Sequence, residues 1–252
     1  MTPEYTFTTF RPPDSPAAAR AYHSAHEQAL RRYGIGPLAS SAPTWLNSPA
    51  VLVVLATAPN GQLAGGVRLH LATPTAELPL VKGLAATQPE VRAAVAFAPG
   101  LHVAEPCGLW VGAGHGGHDL GLLLTRYAVA LAIHCDLDQL YCLAAPHTLG
   151  LVQALGFALV PEVGAQGYVA YPTPEYNSGV LVRSVTSPSA DAGQQARLAS
   201  LGERPTQSCY EQVGPERTVL VHYYCPRPLI SCTNSSFFLG EISTVVPSLM
   251  TA

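Results

Sequence analysis

The densest glycine run in the chain, Gly112-Ala-Gly-His-Gly-Gly-His-Asp-Leu-Gly121, lies between a strand-like stretch, His102 to Val111, and a strongly apolar helical stretch that ends at His134. A glycine turn leading from a strand into a helix exposes backbone N–H groups, and the helix dipole adds partial positive charge. Gly116 to Gly121 can therefore hold an anion such as a phosphate, although the same run also suits a tight turn that needs positive φ. Arg68 and His70 stand two apart on another strand-like run, so both side chains share one face. Six cysteines are irregularly spaced, with no CxxC pair and no histidine at metal-finger spacing, so no metal is expected. They read as reduced thiols that fill core, and Cys225 and Cys232, which flank a Pro-Arg-Pro turn, are a candidate pair that a reducing compartment disfavours.

The elements that must position these groups alternate. A first strand at Tyr5 to Phe10 is followed by a helix from Pro16 to Arg32, with Asp14 or Ser15 as its cap and Gly34 as its stop. Ala50 to Ala56 is an apolar run suited to a strand buried on both faces, and Pro59-Asn60-Gly61 turns it back through Gln62 to Ala72. Gly65-Gly66 within that partner strand implies a bulge or a close backbone approach. A short helix over Pro89 to Phe97, the strand, the glycine turn and its helix come next; then a strand at Gln139 to Ala145, a helix at His147 to Leu155 and a strand at Phe157 to Val163. Beyond Pro172 the pattern weakens to a strand at Val180 to Val185, a helix near Gln194 to Leu201 and a hairpin through Cys209 to Tyr224. The expected class is α/β, with residues 1–172 as the main domain, 173–225 as a small α+β appendage and 226–252 as a disordered tail.

Composition narrows the function. With 48% hydrophobic residues the chain can bury a large core, and its 12% charged residues and net charge of −3 include no basic stripe, which argues against nucleic acid as a partner. Lys82 is the single lysine, and the arginines are scattered. The N-terminus lacks the basic and apolar regions of a secretion signal, and the longest apolar stretch, Leu120 to Ile133, is too short to span a bilayer, so a cytoplasmic protein without a membrane span is expected.

Taken together, Glu105-Pro-Cys-Gly-Leu-Trp-Val111, Gly116-Gly-His-Asp-Leu-Gly-Leu-Leu-Leu124, Tyr141 to Leu143 and Leu155-Gly-Phe157 resemble the core of the GNAT acyltransferase superfamily. In that family a splayed strand precedes a turn of the form Arg/Gln-x-x-Gly-x-Gly/Ala whose amides hold the pyrophosphate of coenzyme A. The resemblance implies a GNAT-like mixed sheet, splayed at its centre and flanked by helices, and a coenzyme A thioester, acetyl-CoA or longer, as acyl donor. Leu109 and Val111 would pair with the pantetheine arm, and the amides of Gly117, His118, Asp119, Leu120, Gly121 and Leu122 would surround the pyrophosphate. Gly116 stands where the family has Arg or Gln, Asp119 stands at its middle Gly, and Val152 stands at the place of its frequent tyrosine acid. Gly66-Val-Arg-Leu-His-Leu-Ala-Thr73 and Glu105-x-x-Gly108-x-x-Val111 are similar to motifs of the autoinducer synthases and N-acyl amino acid synthases, a branch that uses acyl-CoA or acyl-carrier-protein donors.

An N-acyltransferase needs a neutral amine nucleophile, and under this resemblance Glu105 is the candidate base, with a solvated strand-end carboxylate as the plain alternative. Arg68 would orient an acceptor carboxylate through a bidentate pair or else form an ordinary salt bridge. His70 as an alternative base, His118 as a phosphate contact and His147 as a helix cap each compete with structural roles. Cys142 permits a covalent acyl-enzyme but is more simply packing. The expected partner is a small amine or amino acid acceptor. The Tyr-rich strand His222 to Tyr224 suggests a homodimer surface, and a catalytically lapsed domain that binds a ligand or partner is the rival reading.

Overall fold

The computed structural model describes residues 2–36, 38, 42–73, 76–95, 101–116, 119–186 and 192–225. In chain order the elements are β1 (Glu4–Phe10), α1 (Pro16–Arg32), β2 (Val51–Thr57), β3 (Leu63–Leu71), α2 (Pro79–Leu84), α3 (Val91–Ala94), β4 (Val103–Val111), α4 (Leu120–His134), β5 (Gln139–Ala144), α5 (Pro146–Ala154), β6 (Ala158–Leu159), β7 (Tyr168–Ala170), β8 (Asn177–Ser184), α6 (Ala192–Glu203), β9 (Gln207–Gly214) and β10 (Arg217–Tyr224). All ten strands join one mixed sheet in the order β6-β8-β5-β4-β3-β2-β1-β10-β9, with β7 also paired to β8. The residues from 173 onward supply β8, β9 and β10 to this same sheet, β8 antiparallel to β5 and β10 parallel to β1. The expected tail at 226–252, with Cys232, lies outside the described residues.

Both faces of the sheet are covered, which is why β2 reads as an uninterrupted apolar run. Leu52, Val54 and Ala56 pack with α4, α5 and α6, while Val51, Val53 and Leu55 pack with α1 and Trp45. α4 is apolar nearly all round because it lies between the sheet and α6; Gly202 of α6 brings the two helices so close that a Cβ there would sit 2.9 Å from Ile133. Fully buried Leu120, Leu123 and Leu124 each contribute roughly 1.5–3 kcal/mol of burial.

Three local expectations change. Ser15 is the N-cap residue of α1 but makes no side-chain cap bond. The strand expected at Phe157 to Val163 shrinks to two residues because Pro161 opens a turn through Gly164 and Gly167, both at positive φ. The helix expected at Pro89 to Phe97 forms only over Val91–Ala94, its last two residues lying outside the described ones. The strand containing His222 to Tyr224 is β10, which β1 and β9 flank on both edges; Tyr224 remains exposed, and His222 bonds Ser208 Oγ (2.8 Å) and Glu4 Oε1 (3.2 Å).

Candidate active site

β4 and β5 pair in parallel only through Val103–Gln139 and Ala104–Leu140, then part, although β4 runs on to Val111 and β5 to Ala144. A bulge drives the separation: between the Arg68–Cys107 and Gly66–Trp110 pairs, β4 carries one residue more than β3, at a site where Gly108 has φ +62°. The glycine is required twice over. A Cβ there would sit 2.8 Å from Nη2 of Arg68 and 2.9 Å from the Tyr22 hydroxyl, which donates to the Gly108 carbonyl. Gly65 and Gly66 meet the expectation of close approach, since a Cβ on either would press on the Trp110 or Val54 carbonyl at 2.8 Å.

The splay opens a cavity of about 450 Å³, within the usual range for small-molecule sites. Its walls are β4 from Glu105 to Val111, β5 from Cys142 to Ala144, the C-terminal half of α1 (His26, Ala29, Leu30) with Tyr33, Ile35 and Leu38 beyond it, Gly121 and Thr125 of α4, and Leu151 and Val152 of α5. Pro79, Leu80, His147, Tyr171, Tyr176 and Ser178 complete it; Leu80 bonds Glu105, and a Cβ on Gly83 of the same helix would sit 3.3 Å from the Tyr171 hydroxyl.

Glu105 is 2% exposed and accepts a hydrogen bond from the Leu80 N–H at 2.7 Å. Burial pushes its carboxyl up to about 8, against the opposing pull of the Leu80 N–H and of Arg68. His70 lies directly across the ladder from Glu105, and burial, reinforced by Arg68 and Lys82, holds its imidazole well below the usual range and therefore neutral. Arg68 has no exposed surface: its guanidinium stacks 4.4 Å from the Trp45 ring centroid and 5.7 Å from that of Tyr22, behind Gly108 and off the cavity wall. The structure thus brings Glu105 to the cavity and keeps Arg68 one layer behind it.

Leu109 and Val111 line the cavity, and so does Gly121; Leu120 is buried in the core, and Gly117 and His118 lie outside the described residues. Asp119 adopts the left-handed conformation (φ 54°) at the N-cap of α4, and its carboxylate is ion-paired with Arg217, the first residue of β10. Arg32 reaches the same corner, donating to the Val111 carbonyl at 3.3 Å. His147 lines the cavity, while Ala145 holds the N-cap of α5. Cys107 and Cys142 both line the cavity; burial pushes Cys107 up to about 12 and Cys142 higher still, which leaves both as thiols rather than nucleophilic thiolates. Sequence reasoning missed Leu80, Tyr171 and Tyr176. The Leu80 helix is only six residues long, and the two tyrosines sit around a turn after β7 whose place at the cavity depends on long-range pairing with β8.

Several solved structures share this architecture. FeeM, an N-acyl amino acid synthase from uncultured soil microbes, is 19% identical over 73% of this chain and 91% of its own, with a TM-score of 0.52. BjaI, a CoA-dependent acyl-homoserine lactone synthase solved with SAM and isopentyl-CoA, is 11% identical over 80% and 91%, with a TM-score of 0.54. An acyl-CoA N-acyltransferase from Pseudomonas aeruginosa is 18% identical over 71% and 99%, with a TM-score of 0.50. The chain has the GNAT fold. No protein-family model matches the sequence, and no curated protein matches it. In this GNAT sheet the splay between β4 and β5 and the first turn of α4 meet at one cavity, and Leu109, Val111 and Gly121 stand together on its wall. Among the described residues no cluster of His, Cys, Asp or Glu is arranged to hold a metal, and no helix is long and apolar enough to cross a membrane.

Proposed function

We propose that this GNAT-fold chain is an N-acyltransferase that moves an acyl group from a thioester donor to an amine at Glu105. The observation that carries this reading is a nearly inaccessible carboxyl on the wall of a cavity that no described lysine or arginine lines, at the point where the central strands part. Beyond Ala104 the edge of β4 that faces β5 is released from strand pairing, so an extended donor arm can bond along Leu109 to Val111. The first-turn amides of Leu120, Gly121 and Leu122, with Arg32 and Arg217 nearby, suit a phosphate. Ala29, Leu30, Ile35 and Leu151 add apolar lining to the cavity, which favours a long acyl chain.

Chemically, Glu105 takes one proton from the incoming ammonium, freeing the nitrogen lone pair to attack the thioester carbonyl. The C–N bond forms, the C–S bond breaks, and the proton shed as the amide forms balances the departing thiolate. Arg68 acts from behind: its buried charge lowers the cost of ionising Glu105, and it is a positioning residue rather than a contact to substrate. Asp119 favours a second reading, a lapsed domain, because a carboxylate occupies the helix N-terminus where a phosphate would bind.

Native mass spectrometry against coenzyme A, acetyl-CoA and a long-chain acyl-CoA separates these readings, followed by transfer assays with the intact protein and Glu105→Gln. Stoichiometric binding, with transfer falling about 10²–10⁴-fold in the variant, is the expected result. Transfer unchanged in Glu105→Gln removes Glu105 from the mechanism. Absence of binding to all three, and of transfer from a long-chain acyl-carrier protein, favours the lapsed domain.

A further inference from the structure

The acceptor end of the cavity has a distinct charge character. Besides Glu105, this part of the wall carries Pro79, Leu80, His147, Tyr171, Tyr176 and Ser178, with two tyrosine rings among them. The acidic group on this wall is the Glu105 carboxyl itself. Of the thirteen lysines and arginines in the chain, only Arg227 falls outside the described residues, two positions after Cys225, and none of the other twelve lines the cavity. Arg68, the basic residue expected to meet an acceptor carboxylate, has no exposed surface and is held between Trp45 and the backbone of Gly108.

Resting on the acyltransferase reading, we infer that the acceptor is a primary amine that carries no carboxylate, its ammonium seated on Glu105 and its body against Tyr171 and Tyr176. A buried carboxylate that lacks a bidentate cation gains most from a ligand that brings one, and aromatic walls accept a cation or an aryl group equally well. A free amino acid would instead place a second carboxylate within a few ångströms of Glu105, where water is largely excluded and like charges repel strongly. Because Glu105 resists ionisation when alone, the entering ammonium also supplies the charge that lets it act as a base at neutral pH.

The test uses matched pairs that differ only in the carboxylate: tyramine and tyrosine, phenethylamine and phenylalanine, histamine and histidine, with tyrosine methyl ester as a neutralised control. Binding to the intact protein is measured by titration calorimetry, and amide formation from a long-chain acyl-CoA by mass spectrometry. The expected result is that at least one amine binds ten times or more tighter than its amino acid, that the ester follows the amine, and that Glu105→Gln abolishes the preference. Amino acids binding as well as their amines overturn the inference while leaving the acyltransferase reading intact if amide is formed. Amine-selective binding without amide from either acyl-CoA or acyl-carrier protein has the opposite meaning: the inferred ammonium seat stands, and catalysis by this chain is what fails. No binding by any member overturns the inference.

Discussion

Two glutamates in this molecule are equally inaccessible and chemically opposite. Glu105, 2% exposed on β4, has the Leu80 N–H as its hydrogen-bond donor, and burial raises its pKa to about 8. Glu211, 1% exposed on β9, is gripped by Arg197 through both oxygens (Nε to Oε1 3.0 Å and to Oε2 3.2 Å), by Arg126 (3.3 Å) and by the Tyr223 hydroxyl (2.8 Å). Burial pushes Glu211 upward as well, but the hydrogen bonds and charge of Arg197, joined by Tyr223 and Arg126, outweigh it and leave its pKa below the usual carboxylate value. The difference teaches that burial alone does not mark a site. The glutamate whose charge is met by two arginines ties β9 to α4 and α6, whereas the one left largely unmet faces a cavity.

If Glu211 is scaffold, removing its charge should be the costliest change. Glu211→Ala takes the carboxylate away from Arg126 and Arg197, leaving them only the Gln212 carbonyl and Cys209 Sγ, and about 3–5 kcal/mol of stability should be lost, a penalty typical of breaking a buried ion pair. Denaturant unfolding followed by fluorescence measures this. A loss below about 1 kcal/mol would mean that the C-terminal hairpin is held by its apolar contacts alone.

Glu105→Gln should do the reverse to stability, with a pH signature. The folded-state pKa of Glu105 is raised from 4.5 to about 8, so between those values the folded protein holds a proton that the unfolded chain has released. Stability from this group is therefore fully present below pH 4.5 and falls as pH rises toward 8. A glutamine keeps an oxygen for the Leu80 N–H and cannot ionise. The variant should match the parent near pH 4.5 and exceed it by a few kcal/mol above pH 8, since a tenfold difference in proton affinity between the folded and unfolded chain is worth about 1.4 kcal/mol. Unfolding midpoints across this pH range that run parallel for both proteins would contradict the assignment of an unmet buried carboxyl.

The contrast between the two glutamates also marks what the sequence could disclose. Glu105 was legible because it opens the motif Glu105-x-x-Gly108-x-x-Val111, and the splay followed from the resemblance around it. Arg68 was placed on the correct face by its spacing from His70, yet its depth depends on Trp45, which comes from a 3₁₀ turn with no periodic signal, and on the Gly108 bulge. Glu211 could not be singled out: it sits in a hairpin of mixed polarity, and its partners are 14 and 85 residues away. Sequence alternation shows which face a side chain takes, but whether a buried charge finds a partner is decided by tertiary contacts that no local pattern encodes. The same reason hid Arg217, which β10 brings to Asp119 at the start of α4, and Tyr171, which the pairing of β7 with β8 brings to the cavity.

The finest test of the contrast is Tyr223→Phe, which removes one hydroxyl from the Glu211 network and nothing else. The ring stays packed between Phe7 and Tyr127, with centroids at 5.4 and 4.5 Å, so no cavity opens. What is lost is a hydrogen bond to a charged acceptor, worth about 1.5 kcal/mol at neutral pH. Because the lowered pKa of Glu211 stabilises the fold above the unfolded carboxylate value and fades as pH falls through the folded one, weakening its hold should bring acid unfolding on at higher pH. The gap between variant and parent should close once Glu211 is protonated in both. A gap that stays constant down to about pH 2 would show that Tyr223 contributes through packing rather than through the carboxylate, and Glu211 would then depend on its two arginines alone.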